Sequence, residues 1–210
     1  MSPADADAIG APEPATRQID RENGRFRSVV THLEMRARPS GLPPDPPRPD
    51  ARLRRWREPD LDTYLALFHR VGDRWLWYGR LDAGREEIAA LLQSPDHEVY
   101  RLWAGDEVAG LCELSRAVPG EVEVAYCGLV PEWIGGGLGG FLLRSALHEA
   151  WRKDVQRVWL HTCTEDHPGA LEFYRHIGFR PFAQEVEWVH DPRLRGLLPR
   201  DAGPHVPLAE

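Results

Sequence analysis

The sequence predicts one α/β domain of the α+β kind, built on a mixed, largely antiparallel sheet flanked by helices. Three observations point to it. Residues 98–103, 107–114 and 121–130 read as strands, and their connections at Gly105-Asp106 and Pro119-Gly120 are tight. Strands joined so closely pair antiparallel. The period then changes to that of a helix over 138–151, with Leu142, Leu143, Ala146, Leu147 and Ala150 as its apolar stripe. A strand at 155–162, a helix at 168–177 and a last strand at 182–189 follow.

Upstream, residues 1–25 mix Ala, Asp, Pro and Arg without periodicity and predict a flexible tail. They contain no apolar run of the kind a signal peptide needs. The domain itself is expected to span 26–190, opening on a β-rich stretch at 28–35. Residues 39–49 are dominated by proline, which neither donates to a ladder nor enters a helix, so an extended, semi-rigid connector is expected there. A short strand at 51–56 follows. Asp60 then N-caps a helix in which Leu61, Tyr64, Leu65, Phe68 and Val71 recur at helical spacing. Trp75, Leu76, Trp77 and Tyr78 form an aromatic cluster after Gly72, ahead of a second helix at 83–92 with Ile88, Leu91 and Leu92 on one face. Residues 191–210 are rich in Pro, Arg and Gly and predict an irregular C-terminal tail.

The 210 residues are 42% hydrophobic, enough for one core, and carry a formal net charge of −7. That balance argues against a general nucleic-acid binder, which presents a basic face. Cys112, Cys127 and Cys163 are odd in number and lack the spacing of a disulfide framework, which favours a reducing compartment. No uncharged apolar run is long enough to span a bilayer. A cytoplasmic protein is therefore expected, with no nucleic-acid and no membrane partner.

The most informative segment runs from Leu129 through Gly135, Gly136, Gly137, Leu138, Gly139 and Gly140. A strand ends, glycines make the turn, and an amphipathic helix begins inside them. Glycines let the backbone approach an anion closely, and free N–H groups at the positive end of the helix dipole hold it. The turn is no P-loop, because no Gly-Lys-Ser/Thr follows. Gly135, Gly137 and Gly140 do fit the dinucleotide fingerprint literally. In that fold, however, the glycines follow the first strand of a parallel unit, whereas here they follow strands in antiparallel succession. A NAD-dependent oxidoreductase is accordingly the most distant reading.

Gly135-Gly136-Gly137-Leu138-Gly139 after a strand resembles the Gly-rich motif of the GNAT N-acetyltransferases, R/Q-x-x-G-x-G/A, with Ile134 at its first position. A second stretch, His167-Pro-Gly-Ala170 through Tyr174 to Gly178-Phe179, is similar to that family's N-x-x-A-x-x-x-Y followed by G-F, with His167 where Asn is usual. Both motifs occur in the family's order. The Pro-rich segment ahead of Trp75-Leu-Trp77 also resembles bacterial members, which extends the likeness to about Val29. The resemblance implies acetyl-CoA as acetyl donor and no metal. It places the pyrophosphate on the amides of Gly135 to Gly140, the pantetheine arm on the backbone of Leu129 and Val130, and a further cofactor contact at His167. It implies an amine acceptor as partner, with a homodimer compatible with it, and Tyr174 as the acid that protonates the departing thiolate. A non-catalytic acyl-CoA-binding or regulatory domain is the rival reading, on the strength of Ile134 and His167.

Thioester aminolysis also needs a base, and Glu123, on the strand leading to the turn, is the first candidate; Glu132 and Asp166 are weaker ones. Backbone N–H groups at the end of the same strand would polarise the carbonyl. Trp75, Trp77 and Tyr78 could wall a hydrophobic or cationic acceptor as well as serve plain packing. His161, Cys163 and His167 invite a zinc reading, but the further ligands would have to come from spacings no common motif provides.

Overall fold

Tight turns and alternating side chains lead to an antiparallel ladder. In the computed structural model, which describes residues 18–41, 43–152 and 154–210, the strands are β1 (Ile19–Asp20), β2 (Arg25–Met35), β3 (Ala51–Arg55), β4 (His97–Ala104), β5 (Glu107–Ser115), β6 (Glu121–Leu129), β7 (Arg157–Cys163) and β8 (Arg180–His190). The helices are α1 (Leu61–Gly72), α2 (Gly79–Ala83), α3 (Arg85–Gln93), α4 (Leu138–Ala150) and α5 (Ala170–Ile177). The chain gathers into two compact units that interleave along the sequence. One comprises Met35–Val71 and Ala83–Leu160; the other comprises residues up to Glu34, Gly72–Asp82 and His161–Glu210.

In the first unit, which carries the glycine turn, β3 pairs with β4, β4 with β5 and β5 with β6, all antiparallel, while β6 and β7 are parallel. The predicted fold class is what is found, a mixed, largely antiparallel sheet flanked by helices. Asp60 caps α1 as its side chain dictates, accepting from the Thr63 N–H at 2.9 Å. Tyr64, Phe68 and Val71 of α1 are fully buried. The stripe Leu142, Leu143, Ala146, Leu147 and Ala150 of α4 is likewise fully buried, each large side chain contributing about 1.5–3 kcal/mol. The helix expected at 83–92 is α3, and Gly84 separates it from the short α2.

In the other unit β2 pairs antiparallel with β1 and with β8. Residues 1–17 of the expected N-terminal tail lie outside the described residues. Residues 19–25, read as part of that tail, instead carry β1 and its turn, with Ile19 opposite Phe26. Two residues are too few to show alternation, so this strand has no signature in the sequence.

The stretch 191–210 has no helix or strand, as its composition predicts, yet it is packed. Leu198, Ala202 and Val206 join Phe26, Leu76 and Val189 in one buried cluster. Gly203 presses on Leu76 so closely that a Cβ there would lie 2.5 Å from the Leu76 side chain. The irregular backbone is held by a buried ion pair. Arg193 donates to both Asp191 oxygens (2.9 and 2.7 Å) and to the carbonyls of Ala202, Val206 and Pro207 (3.1, 2.8 and 3.1 Å).

Burial pushes the Asp191 carboxyl up, but the hydrogen bonds from Arg193 and from the Arg193 and Ala209 N–H groups outweigh it and hold it below the usual range. A lowered folded-state pKa means the stabilisation is complete above the unfolded value, about 3.9, and is lost as pH falls through the folded one. Arg193→Met leaves a buried carboxylate without its partner and should cost about 3–5 kcal/mol in urea unfolding at neutral pH. Its urea midpoint should also fall less than the wild type's between pH 5 and pH 3.

Candidate functional site

The glycine turn is built by a strand that ends early and a helix that begins without a cap. Between Glu113 and Leu114 of β5 the register with β6 shifts, so Tyr126 faces Glu113, Val124 faces Leu114, and Ala125 is the extra, bulged residue. The pairing of β6 with β7 covers Glu121 to Glu123 opposite Arg157 to Trp159. Beyond the bulge, among the described residues, β6 is paired on its β5 edge alone. The Val130 N–H donates to Ala109 O at 3.0 Å and its carbonyl accepts from Trp133 N–H at 2.9 Å. Strand alternation therefore turns the Leu129 N–H and C=O to the open edge. Val130, expected to bind the pantetheine arm beside Leu129, has its own N–H and C=O bonded within the protein, and the open edge lies at Leu129 and, two residues back, Cys127.

After a 3₁₀ turn at Pro131–Trp133 come Gly135, Gly136 and Gly137 with φ of 104°, 61° and 80°. This is left-handed backbone that only glycine adopts without strain. Gly137 is the N-cap residue of α4; it provides no side-chain cap, and the first turn has no acidic residue. The first intrahelical bond runs from Phe141 N–H to Gly137 O at 3.1 Å, which leaves the N–H groups of Leu138, Gly139 and Gly140 without helical acceptors. The space above the turn is open: a Cβ at Gly135, Gly136 or Gly140 would meet nothing within 4 Å. A concave run of amides at the positive end of a thirteen-residue helix suits a phosphate or pyrophosphate.

Glu123 lies on the same sheet face as Glu113, since it is paired with Ser115, two residues along β5. That face also carries a buried polar group that the sequence reading missed. Glu113 is 0% exposed; its Oε1 accepts from the Tyr64 hydroxyl at 2.6 Å, and its Oε2 lies 3.0 Å from His97 Nε2. The His97 ring is not angled to make a hydrogen bond of that contact. The only signal for it in the sequence is a Glu in the middle of an otherwise apolar strand. Of the weaker base candidates, Glu132 sits on the surface, 69% exposed and 4.0 Å from Arg70. Asp166 accepts from the Thr162 hydroxyl and the Cys163 N–H (2.7 and 3.0 Å) and so shapes the end of β7.

Tyr174, His167 and the aromatic cluster belong to the other unit. Tyr174 is half-buried on α5, its ring edge-on to Phe179 at 6.2 Å. His167 is exposed, and its Nδ1 accepts from the Gly169 N–H at 3.0 Å, the local turn bond that an Asn side chain could also make there. Its ring and that of His205 both stand edge-on to Trp75, at 5.5 and 5.4 Å. Glu165 is buried close by in sequence, accepting from Ser28 and Thr164 hydroxyls (2.6 and 2.8 Å). Burial, with Glu187 next, pushes the Tyr78 phenol up to about 12, so it remains a donor at neutral pH. Among the described residues no three His, Cys, Asp or Glu side chains converge as metal ligands, and the three cysteines are free thiols. No helix among them is long and apolar enough to cross a membrane.

The model of the acetyltransferase (GNAT) family matches residues 42–179. The chain belongs to this family. No curated protein matches it in sequence. Among solved structures, it resembles a conserved protein of unknown function from Staphylococcus epidermidis (TM-score 0.58, 14% identity, 82% of this chain and 68% of that one). It also resembles a GCN5-related N-acetyltransferase from Kribbella flavida (TM-score 0.55, 20% identity, 83% and 63%) and a Bacillus subtilis acetyltransferase in complex with CoA (TM-score 0.50, 23% identity, 63% and 78%). At these identities the likeness is one of fold. As a GNAT chain it places the family's glycine motif at the start of α4, and the substitution of Ile134 for Arg or Gln falls on an exposed residue whose N–H donates to Pro131 O.

Tyr64→Phe removes one donor from the buried Glu113 carboxylate. It should lower stability by about 1–3 kcal/mol, read as a shift of the urea midpoint at constant slope.

Proposed function

We propose that the protein is an acetyl-CoA-dependent N-acetyltransferase acting on a primary amine of a small molecule, peptide or protein. The observation that carries this reading is the uncapped, positively ended α4 behind three left-handed glycines, adjoining a strand with an open edge. Together they offer donors to a pyrophosphate and a strand-like partner to the amide-bearing pantetheine arm. The membership of the GNAT family supports the same donor.

In this reading Leu129 and Cys127 hold the arm, and the amides from Gly135 to Gly140 hold the pyrophosphate. The amine nitrogen attacks the thioester carbonyl, loses a proton to Glu123 directly or through water, and the C–S bond breaks as coenzyme A thiolate leaves. The Tyr174 hydroxyl supplies the proton that converts this thiolate to the thiol, a role that rests on its place in the family motif. His167 acts by shaping the start of α5 in place of the usual Asn. The aromatic residues Trp75, Trp77 and Tyr78, with Glu165 and Glu187 in the same unit, suit an acceptor with an apolar body and a cationic group. Ile134 and His167 favour one alternative, a non-catalytic acyl-CoA-binding domain, which would bind acetyl-CoA and release no thiol with any amine.

Calorimetry with acetyl-CoA tests donor binding. A Val at Gly137 would be strained in that left-handed backbone and would set its Cβ against Pro47, 3.6 Å away. Gly137→Val should therefore distort the turn and weaken acetyl-CoA by about tenfold or more, while the rest of the fold is retained by circular dichroism. Unchanged affinity would sink the assignment of the turn. With an acceptor found by thiol release across an amine panel, Tyr174→Phe should lower kcat by about 10²–10⁴ while leaving acetyl-CoA affinity alone. Near-normal turnover would return Tyr174 to a packing role.

A further inference from the structure

Within the unit that carries the glycine turn, a groove of about 470 Å³ runs between α4, β3 and the Pro-rich segment. Its two ends differ in chemistry. The Pro-rich segment approaches the start of α4, where Pro47 lies 3.6 Å from the Cβ position of Gly137. That end is walled by Pro43, Pro44, Ala51 and Phe141 and is apolar. β3 then runs toward Arg55, which pairs with Tyr100, and α4 ends near Arg152. Arg55, Arg57 and Arg152 line this second end and make it cationic, whereas Arg52 pairs with Trp103 on the alternate face of β3 and stacks its guanidinium over the Trp103 ring, 5.9 Å from its centre.

The protein's own acids do not balance these cations. Glu98, 2% exposed beneath the cationic end, is approached by Arg152 at 2.8 Å, Arg116 at 3.3 Å and Arg55 at 3.4 Å, and also accepts from the Tyr100 hydroxyl at 2.8 Å. One carboxylate thus serves three guanidiniums. Glu149, 3.7 Å from Arg152, is the other acid at the groove. In a chain of net charge −7, this local surplus of guanidiniums suits a dianion, because the planar forks match phosphate oxygens.

We propose that the groove binds a small organic phosphate with an apolar or aromatic body, the body against the prolines and Phe141 and the phosphate against Arg55, Arg57 and Arg152. Its size falls in the range of small-molecule sites. The apolar end of the site adjoins the glycine turn, but the turn would recognise phosphate by backbone amides and the groove by side-chain charge, and the proposal does not depend on the acetyltransferase reading.

Phenyl phosphate is a suitable probe, titrated by calorimetry into protein already saturated with acetyl-CoA, or with CoA should acetyl-CoA fail to bind. One molecule per chain should bind, more tightly than inorganic phosphate, with affinity falling as salt rises. Arg55→Ala with Arg57→Ala should weaken it about tenfold or more. Ser145→Trp, which fills the groove and keeps every arginine, should block it. Acetyl-CoA affinity should not change in either variant. The proposal is overturned if phenyl phosphate fails to bind at about 10 mM, a Kd of negligible recognition. It is equally overturned if binding survives both variants, or if saturating the glycine turn abolishes it.

Discussion

A backbone N–H without a partner inside the chain has to find one outside it. This constraint organises the unit that carries the glycine turn. The β6–β7 pairing runs from Glu121 to Glu123, Ala125 bulges, and the open edge beyond is left with strand-like donors and acceptors. Six residues past the end of β6 the three glycines begin to wind the chain into α4, leaving its first amides exposed at the positive end of the dipole. Capping the helix with Asp or Ser would satisfy those amides and stabilise it by about 1 kcal/mol. The absence of any such side chain keeps the donors available to an anion.

The same rule explains why the irregular C-terminal stretch can be buried. Loops stay at the surface because their backbone groups need water. Here the Arg193 guanidinium, neutralised by Asp191, supplies several donors at once to carbonyls that have no ladder to join. The result is a core cluster made partly of residues with no regular structure, Leu198, Ala202 and Val206.

How much of this was legible in the sequence follows from the range of each interaction. The alternation in 98–130, the stripe of α4, the Asp60 cap and the glycine turn are local patterns, and the strands and helices they predict stand within a few residues of expectation. The packing of 191–210 depends on Arg193 meeting carbonyls 9 to 14 residues away, and the Glu113–Tyr64 bond joins residues 49 apart. No periodicity encodes such meetings. The division into two units was also hidden, because the chain passes between them inside or at the ends of regular elements, in β2, at the end of α1, in α2 and in β7, rather than through a long linker. At the site, the place of Leu129 at a strand end could be read, whereas the commitment of Val130 to Ala109 and Trp133 is a matter of register that only the fold decides.

Two ways of offering positive charge to an anion appear in the one unit, and their physics differs. At the glycine turn the partial charges belong to the peptide dipoles, fixed in direction and unable to be neutralised by a side chain absent from the turn. At the arginine groove the charges are whole but mobile, and Glu98 and Glu149 already draw on them. Dipoles held by a helix cost no reorganisation when an anion arrives. Exposed guanidiniums give up rotamer freedom and shed counterions, so their attraction weakens within a Debye length of about 8–10 Å at physiological salt. A ligand held by the turn is thus fixed by directional hydrogen bonds, although salt screens the dipole as well. One held at the groove is gathered by a field that the rest of this acidic chain opposes, and its occupancy rises and falls with ionic strength.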